Sequence, residues 1–331
     1  MNDEARMTNT AVQATSDWGY VAATQPTIYF IGVTTAKSSI MSVFPRWAEH
    51  LGLRDAVICG IDCRLHDQPA VYRRIVEHIR ADQHSLGALV TTHKIDLLKA
   101  CRDQFGELDP YARLMGEVSS ISKRDGRLVG HAKDPISSGL ALEAFIPAGY
   151  WERTGAAVLV LGAGGSSIAL TCYLMQTRHG ANRPAKIIVS NRSVPRLDEM
   201  REIHRQAGCT LPVEYHHTPR PEDNDRLVNG LPPGSLVVNA TGLGKDAAGS
   251  PITAAARFPE RGYVWDFNYR GELVFLDQAR AQQESRTLTI EDGWVYFIHG
   301  WTQVIAEVFH VDIHTRGPEF DALSRDRKSV V

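Results

Sequence analysis

The sequence predicts an α/β protein made of two parts, each built around a mainly parallel β-sheet. Its 331 residues suit two domains of ordinary size. Short apolar strands alternate with amphipathic helices along most of the chain, which is typical of parallel sheets covered by helices. Hydrophobic residues make up 43% of the chain, which is enough for a substantial core in each part.

The first alternation runs through the N-terminal part. Strands are predicted where apolar and β-branched residues cluster, at 27–33, 55–61, 86–91 and 126–131. Helices are predicted where apolar residues recur at helical spacing, at 38–52, 69–82, 94–104 and 134–148. We expect the last of these helices to connect the two parts.

The second alternation has clearer signals. Continuous apolar runs predict strands at 157–161, 186–190, 236–239 and 263–266. Helices are predicted from about 166 to 176, at 193–207 and at 294–310. The polar stretch 220–226 is predicted to be a solvated loop.

These patterns divide the chain into four segments. We predict a disordered extension at 1–24, a first α/β domain at 25–150, a second at 151–312 and a charged, loose tail at 313–331. Closing helices from 292–312 can belong to the first domain.

Charge and cysteine content exclude several classes of protein. The formal net charge of −2 gives no general attraction to nucleic acid or an anionic membrane, and no apolar run reaches the length of a membrane span. The five cysteines have no zinc spacing, so we expect no metal and reduced thiols in the cytoplasm. Packing of Cys59 and Cys63 is favoured over a redox or metal pair. The polar N-terminus lacks the apolar core of a signal peptide.

A glycine-rich turn in the second part carries the strongest signal. It directly follows the apolar strand 157–161 and consists of Gly162, Ala163, Gly164, Gly165 and Ser166. Such a turn presents backbone N–H groups and the positive end of a helix to a phosphate, and its glycines let the phosphate approach. The pattern predicts a Rossmann-type dinucleotide site, with a tight turn that binds nothing as the alternative.

The end of the next strand favours NADP as the cofactor. The residues there are Asn191, Arg192 and Ser193. An NAD enzyme usually has an acidic residue at this position, which binds the ribose 2′-hydroxyl. Arg192 can instead pair with a 2′-phosphate. The alternative is that Arg192 is a solvated loop cation.

A second turn follows the strand 236–239. Asn239, Thr241 and Gly242 lie where a Rossmann sheet binds ligands, beyond the carboxyl ends of its strands. We expect them to line the nicotinamide side of the site, and a simple turn is the alternative.

Hydride transfer at an alcohol carbon needs a group that exchanges the hydroxyl proton. Lys94 follows the strand 86–91, and Asp134 begins the connecting helix. From the residues alone, a surface lysine at a helix start is the better interpretation of Lys94.

Short motifs occur along 27–312 in an order that one enzyme family shares. In the first part, 32–41 resembles GxPIxHSxSP, 90–94 resembles NVTxPxK shortened by one residue, and 116–120 and 130–139 resemble AVNT and GxNTDxxG. In the second part, matches to GAGGA, NRT, NATxxG, an aspartate-to-tyrosine strand end and DGxxML lie at 162–166, 191–193, 239–244, 266–269 and 292–297. In this order and spacing the chain resembles the shikimate dehydrogenase family.

The resemblance implies an N-terminal substrate domain, a C-terminal NADP domain and an active site in the cleft between them. It implies that Lys94 handles the hydroxyl proton and that Asp134 orients the lysine and the substrate. The positions that it assigns to substrate binding are Ser38, Thr91, Ser119, Tyr269 and Gln303, the last reaching from one turn beyond the family position.

Several positions depart from the family pattern, and each departure removes a hydrogen bond to a small polar ligand. The departing residues are Ile40 for a serine, Ser119 and Ala132 for asparagines, Lys133 for a threonine and Gly300 for a glutamine. Lys37 and Lys133 are new cations that could bind an acidic group. The changes predict retained redox chemistry on an altered substrate.

We therefore expect a cytoplasmic NADP(H)-dependent oxidoreductase that acts on shikimate, quinate or a related cyclic hydroxy acid or polyol, as in aromatic amino acid biosynthesis. One alternative is a specialised reductase of another carbonyl or an imine, and another is a cofactor-binding regulatory homologue without turnover. The expected partner is a small molecule, neither nucleic acid nor membrane. A homodimer and the entry of His93, His131 and His299 into the pocket are left open.

Overall fold

A computed structural model describes residues 20–245 and 247–325. The predicted disordered extension therefore lies outside the described residues up to residue 19. The chain divides into two compact units. Unit 1 contains the residues up to Lys133 and those from Trp301 onward, and unit 2 is Asp134–Gly300.

Unit 1 is built on a six-stranded mixed sheet. Its strands are β1 Thr27–Gly32, β2 Val57–Asp62, β3 Ser85–Val90, β4 Phe105–Leu108, β5 Ser120–Arg124 and β6 Arg127–His131. The spatial order is β2-β1-β3-β5-β6-β4. The β1–β2, β1–β3 and β4–β6 pairs are parallel, whereas β5 runs antiparallel to both β3 and β6. Every residue of the interior strand β1 is buried, as expected for a strand covered on both faces.

Helices cover this sheet. They are α1 Ile40–His50, α2 Pro69–Ala81, α3 Lys94–Cys101, α4 Pro110–Met115 and, near the end of the chain, α13 Pro318–Ser324. Asp109 caps α4 by accepting from the Ala112 N–H at 2.6 Å, and α4 ends at Gly116, whose φ of 63° suits a helix C-terminus.

Unit 2 is built on a fully parallel six-stranded sheet. Its strands are β7 Val158–Leu161, β8 Ile187–Asn191, β9 Val213–His217, β10 Leu236–Asn239, β11 Tyr263–Asp266 and β12 Thr289–Glu291. The spatial order is β12-β11-β10-β7-β8-β9. The chain starts in the middle at β7, adds β8 and β9 on one side, and then returns to add β10, β11 and β12 on the other side. This is the strand order of a dinucleotide-binding Rossmann fold, whose ligand crevice lies at the reversal between β7 and β10.

Eight helices accompany this sheet within the described residues. They are α5 Asp134–Phe145, α6 Tyr150–Thr154, α7 Gly165–Leu174, α8 Val194–Gln206, α9 Pro221–Asn229, α10 Val274–Arg280, α11 Gln283–Arg286 and α12 Trp294–Phe309, which continues into unit 1. The buried core on one face of the sheet includes Leu159, Val237, Val264, Phe258 and Phe275. No helix among the described residues combines the length and apolarity needed to cross a bilayer.

The observed division of the chain lies between Lys133 and Asp134, whereas the sequence predicts a boundary near residue 150. The reason is that α5 packs along α7 of unit 2. A Cβ atom added to Gly139 would lie 2.1 Å from the Tyr173 ring, so the two helices are in close contact at this glycine. The connecting helix is therefore part of unit 2.

Two predictions about polar segments are wrong. The stretch 220–226 is not a loop, because Pro221 begins helix α9 and the Asp223 carboxylate accepts from the Arg220 N–H at 3.3 Å. The tail is not loose at 318–324, because helix α13 buries Phe320 and Leu323. The Trp47 indole donates a hydrogen bond to the Leu323 carbonyl at 3.2 Å, which ties α13 to α1.

Candidate functional site

The glycine-rich turn in unit 2 joins β7 to α7, as the sequence predicts. Gly162 has a φ of 113°, and a Cβ atom there would lie 2.9 Å from the Ala240 carbonyl oxygen. Only glycine fits this position, because an L-residue is strained at that φ and its side chain would meet backbone. The close approach also brings the turn next to the loop after β10.

Gly164 is different, because it has a permitted backbone and empty surroundings. Its φ of −89° and ψ of −177° suit any residue, and a Cβ atom there would meet nothing within 4 Å. It precedes Gly165, the first residue of the ten-residue helix α7. The open space therefore lies in front of backbone N–H groups at the positive end of a helix, which is where a diphosphate binds in this fold.

Asn191, Arg192 and Ser193 lie at the carboxyl end of β8. The Asn191 amide donates to the Ser193 carbonyl at 3.2 Å, which holds the turn into α8. The Arg192 side chain is exposed, and its guanidinium has no hydrogen bond or ion pair with any residue in 20–245 or 247–325. The Arg192 carbonyl, by contrast, forms a hydrogen bond with Nε2 of the His217 ring at 3.2 Å. The backbone of Arg192 is thus held in place, while its guanidinium is accessible to solvent or to a ligand.

The loop after β10 is held by a buried polar network. The Asn239 Nδ2 donates to Asp266 at 3.0 Å, and its Oδ1 accepts from the Thr241 N–H at 3.1 Å and hydroxyl at 2.6 Å. The Asn268 amide donates to the carbonyls of Thr241 and Leu243, each at 3.2 Å. These bonds fix the path of the loop beside the glycine-rich turn.

Asp266 anchors this network from the end of β11. Burial raises the pKa of Asp266 to about 6, and hydrogen bonds from Asn268 and Asn239 oppose the increase. Tyr269, three residues on, packs against the rings of Trp294 and Phe297 at centroid distances of 5.5 and 4.9 Å. The predicted site residues Gly162, Asn239 and Thr241 are therefore brought together in unit 2, with Tyr269 held in an aromatic cluster on the following loop.

The candidate residues of unit 1 lie at one edge of its sheet. Ile31 of β1 is paired with Ile61 of β2 and with Val90 of β3, so these three strands end together. Because β5 runs antiparallel, Ser120 at its start is paired with His131 at the end of β6. Loops carrying Ser38, Lys94 and Ser119 therefore leave the sheet on the same side.

The first of these loops is tied to β2. The Thr35 N–H and hydroxyl donate to one carboxylate oxygen of Asp62, at 2.8 and 2.6 Å. Gly60 leaves room for this contact, since a Cβ atom there would lie 2.1 Å from the Thr35 hydroxyl. Ser38 follows, half-buried, whereas Ile40 is fully buried in α1. The position of the family's second serine thus belongs to the core.

The second loop contains the candidate catalytic lysine. Thr92 has a φ of 61°, which is rare for a β-branched residue, and Lys94 begins α3. His93 between them is 1% exposed, and its Nδ1 lies 3.1 Å from the Tyr72 hydroxyl. The His93 side chain therefore points into unit 1. The hydroxyl of Thr91, by contrast, makes no hydrogen bond with any residue that the structure describes.

The third loop is closed by polar contacts within unit 1. The Ser119 hydroxyl donates to the His131 carbonyl at 3.4 Å and accepts from the Lys133 N–H at 2.8 Å. The Lys133 ammonium pairs with Glu307 of α12 at 2.5 Å. Glu307 also lies 3.2 Å from His131 and 2.5 Å from Arg124. The charge of Lys133 is thus balanced by the half-buried carboxylate of Glu307.

The remaining residues left open in the sequence divide by burial. His299 is 1% exposed, and burial lowers its pKa to about 4. Burial lowers the pKa of His131 to about 4 despite the nearby Glu307. Lys37 is exposed at the end of a short 3-10 turn, and Gln303 is half-buried on α12. No group of three or more His, Cys, Asp or Glu within the described ranges is arranged to hold a metal.

Cys59 and Cys63 do not form a disulfide. Burial raises the pKa of both thiols, that of Cys63 to about 12. Protonated thiols are poor nucleophiles and poor metal ligands, which supports packing over a redox or metal role.

Sequence reasoning did not identify Asp62, Tyr72 or Glu307, which hold the candidate loops, and it placed Asp266 in a family motif without predicting that it anchors the loop after β10. Asp62 and Asp266 carried a usable signal, because each is the last residue of a strand at the ligand-binding edge. Tyr72 and Glu307 lie inside helices and carried none.

Comparison with known proteins extends these observations. No protein-family model matches the chain. It is 31% identical over 177 residues to the shikimate dehydrogenase (NADP(+)) of Streptococcus thermophilus, covering 53% of this chain and 58% of that protein. It is 30% identical over 210 residues to the shikimate dehydrogenase (NADP(+)) of Lactococcus lactis subsp. cremoris, covering 63% and 68%.

Solved structures agree on the fold. Quinate dehydrogenase from Corynebacterium glutamicum, in complex with NAD, has a TM-score of 0.70 at 19% identity and covers 92% of this chain and 99% of that chain. Shikimate 5-dehydrogenase from Thermus thermophilus, in complex with NADP(H) and shikimate, has a TM-score of 0.65 at 22% identity, covering 91% and 99%. The 5-ketofructose reductase of a Gluconobacter species has a TM-score of 0.65 at 17% identity, covering 93% and 99%.

The parallel sheet of unit 2 and its open glycine-rich turn define a protein with a dinucleotide-binding Rossmann unit joined to a second α/β unit. The sequence identity with the curated relatives narrows this class. The chain belongs to the shikimate dehydrogenase family, as its motifs predict.

Proposed function

We propose that the protein is an NADP(H)-dependent oxidoreductase that transfers hydride between the cofactor and the hydroxyl or carbonyl carbon of a small cyclic hydroxy acid or polyol. The observation that carries this proposal is the open space at Gly164, in front of α7 and at the reversal of the unit 2 sheet. The names of the curated relatives, shikimate dehydrogenase (NADP(+)), support the same activity.

The cofactor diphosphate is held by the turn Gly162, Ala163, Gly164, Gly165 and Ser166, through N–H groups at the start of α7. Arg192 binds the 2′-phosphate, with Asn191 and Ser193 shaping the turn around it. Its unpaired, exposed guanidinium and the lack of an acidic residue at this strand end support NADP over NAD. The loop residues Asn239, Thr241 and Gly242 line the nicotinamide side.

Lys94 and Asp134 are the proposed catalytic pair. When bound, NADP(H) supplies or accepts the hydride. Lys94 gives the proton to the developing alkoxide, or takes it in the reverse direction, and the Asp134 carboxylate orients the lysine and the hydroxyl. Ser38, Thr91, Ser119, Tyr269 and Gln303 are the proposed substrate contacts. Of these, Ser119 already uses its hydroxyl in two backbone contacts, so it contributes chiefly to the shape of the loop.

Buried replacements around these positions support an altered substrate. Ile40 and Ala132 are buried, and the Lys133 charge is neutralised by Glu307. A site that lacks these polar groups cannot select a ligand by hydrogen bonds to the hydroxyl groups that they would bind. A reductase of a different carbonyl substrate is therefore the second candidate, and the shared fold of a 5-ketofructose reductase is consistent with it. An imine reductase falls in the same class.

The test is the change in NADPH absorbance with purified protein. We expect turnover with a member of a panel of shikimate, quinate, cyclic polyols and ketose sugars, and loss of that turnover in Lys94→Ala. Turnover of shikimate itself would place the protein in aromatic amino acid biosynthesis. Tight NADPH binding without turnover of any compound would favour a regulatory homologue and contradict the proposal.

Two further expectations concern the state of the protein. We propose a cytoplasmic enzyme, because free cysteines and a small soluble substrate suit a reducing compartment. We also propose a homodimer, to be tested by light scattering of the purified chain.

A further inference from the structure

A buried histidine precedes the proposed catalytic lysine, and its contacts connect three parts of unit 1. His93 is 1% exposed. Its Nδ1 lies 3.1 Å from the hydroxyl of Tyr72, which is buried on α2. The same hydroxyl accepts a hydrogen bond from the Asp67 N–H at 3.2 Å, in the loop between β2 and α2. The start of α3, the helix α2 and the loop after β2 are thus joined through the Tyr72 hydroxyl.

The direction of these hydrogen bonds follows from the donors available. The Tyr72 hydroxyl has a single proton, and the Asp67 N–H already donates to its oxygen. Tyr72 therefore donates to His93 Nδ1, which leaves the ring proton on Nε2, a buried atom without a hydrogen-bond partner among the described residues. Burial lowers the pKa of His93, and the carbonyls of Gly32 and Cys63, which favour the charged ring, only partly oppose this effect. The ring is therefore neutral at physiological pH and unsuited to supply a proton.

The backbone beside this ring is strained. Thr92 has a φ of 61°, although a β-branched side chain disfavours the left-handed region. The His93 N–H makes a 2.5 Å contact with the Thr91 carbonyl across this residue, so the turn is tight. A conformation of this kind persists only where neighbouring contacts hold it. His93 supplies such contacts, because its ring is enclosed on the core side of the turn.

We propose that His93 is a positioning residue, which holds the strained turn 91–94 through Tyr72 and so aims Lys94. The inference rests on the proposed function only for the role of Lys94. The position of the lysine can be measured without any substrate. Loss of the His93–Tyr72 hydrogen bond lets Thr92 relax toward negative φ, which rotates the first turn of α3 and moves Lys94.

The experiment compares three substitutions of His93 and its partner with a matched control. His93→Leu removes the hydrogen bond, His93→Asn keeps an acceptor close to the Nδ1 position, and Tyr72→Phe removes only the hydroxyl. The control is His204→Leu in unit 2. His204 is also buried, and its Nδ1 lies 2.7 Å from the Tyr215 hydroxyl. It therefore reports the general effect of losing a buried His–Tyr pair.

The first readout is the ¹³C signal of Lys94 after reductive dimethylation of the eight lysines with ¹³C-formaldehyde. The signal is assigned by its absence in Lys94→Arg, and the other lysines are internal references. We expect the Lys94 signal alone to move in His93→Leu and Tyr72→Phe, and to stay in place in His93→Asn and His204→Leu. An unmoved signal in both His93→Leu and Tyr72→Phe would overturn the proposal.

The second readout is turnover on whichever substrate the wild type accepts. A misplaced proton donor costs about 10- to 100-fold in kcat, while the KM for NADPH in unit 2 stays unchanged. We expect this split in His93→Leu and recovery of most of kcat in His93→Asn. An equal loss in His204→Leu would show a general effect of destabilisation and overturn the proposal. If no compound is turned over, the proposed function fails while the NMR readout still decides the inference.

Discussion

Substitutions of two glycines in one turn distinguish effects on cofactor binding from effects on folding stability. The turn between β7 and α7 contains Gly162, which cannot accept a side chain, and Gly164, which can. In Gly164→Ala the new methyl group meets no protein atom within 4 Å and the backbone is already in a permitted region. Its stability should change by less than about 1 kcal/mol, because alanine restricts the unfolded chain but is a poorer N-cap than glycine at the start of α7.

The same methyl group occupies the space where the diphosphate must approach the N–H groups of α7. We expect Gly164→Ala to weaken NADPH binding at least tenfold, which is about 1.4 kcal/mol. Gly162→Ala should behave in the opposite way, because its φ of 113° and the Ala240 oxygen at 2.9 Å oppose a side chain. Backbone strain of this kind costs about 1–3 kcal/mol of folding stability.

Titration calorimetry with NADPH and thermal unfolding followed by circular dichroism measure the two effects separately. The expected result is a stable Gly164→Ala protein with weak binding and a destabilised Gly162→Ala protein. If Gly164→Ala bound NADPH as tightly as the wild type, the diphosphate would lie elsewhere and the assignment of this turn would be wrong.

Three other predictions test the electrostatics and packing of the two units. Arg192→Asp should weaken NADPH binding at least tenfold, about 1.4 kcal/mol, because the carboxylate repels the 2′-phosphate, and should leave NADH binding unchanged or tighter. Equal calorimetric dissociation constants for NADPH before and after the substitution would refute a 2′-phosphate contact. Gly60→Ala should lower the melting temperature, because its methyl group would lie 2.1 Å from the Thr35 hydroxyl, and the added substitution Thr35→Ala should restore part of the loss. Burial lowers the folded-state pKa of His204 from 6.5 to about 4, so its stabilisation is complete above pH 6.5 and is lost as the pH falls toward 4. Urea unfolding at a series of pH values should therefore show that the free energy of unfolding falls by about 2 kcal/mol less in His204→Leu than in the wild type between pH 7 and pH 5. The same pH dependence in both proteins would contradict this.

The sequence predicted unit 2 well because its signals are local. The strand β7 is a continuous apolar run, and the glycine-rich turn follows it without interruption. The positions of Asn191 and Asn239 followed from one rule, that loops at the carboxyl ends of parallel strands share an edge. Helix α9 was missed although Pro221 and Asp223 gave a start signal, because its exposed surface is almost wholly polar.

Unit 1 was harder to predict because its candidate loops are held by residues distant in the sequence. Thr35 and Asp62 are 27 residues apart, and Lys133 and Glu307 are 174 apart. Hydrophobic periodicity predicts which face of a helix is buried, but it does not predict which distant residue pairs with a charged side chain. Lys133 therefore looked like a ligand-binding cation, whereas the fold uses it to balance a carboxylate.

Unit 1 is formed by two segments that are far apart in the sequence, and this affects the order in which the two units fold during synthesis. Unit 2 is continuous from Asp134 to Gly300, but unit 1 needs residues beyond Trp301. During synthesis, the strands β1 to β6 leave the ribosome long before Glu307 and Leu323. Until then the ion pairs of Lys133 and Arg124 with Glu307 and the hydrogen bond from the Trp47 indole to Leu323 cannot form. We expect unit 2 to fold first, although it is encoded second, and a nascent chain halted before α13 to expose the α1 surface to chaperones.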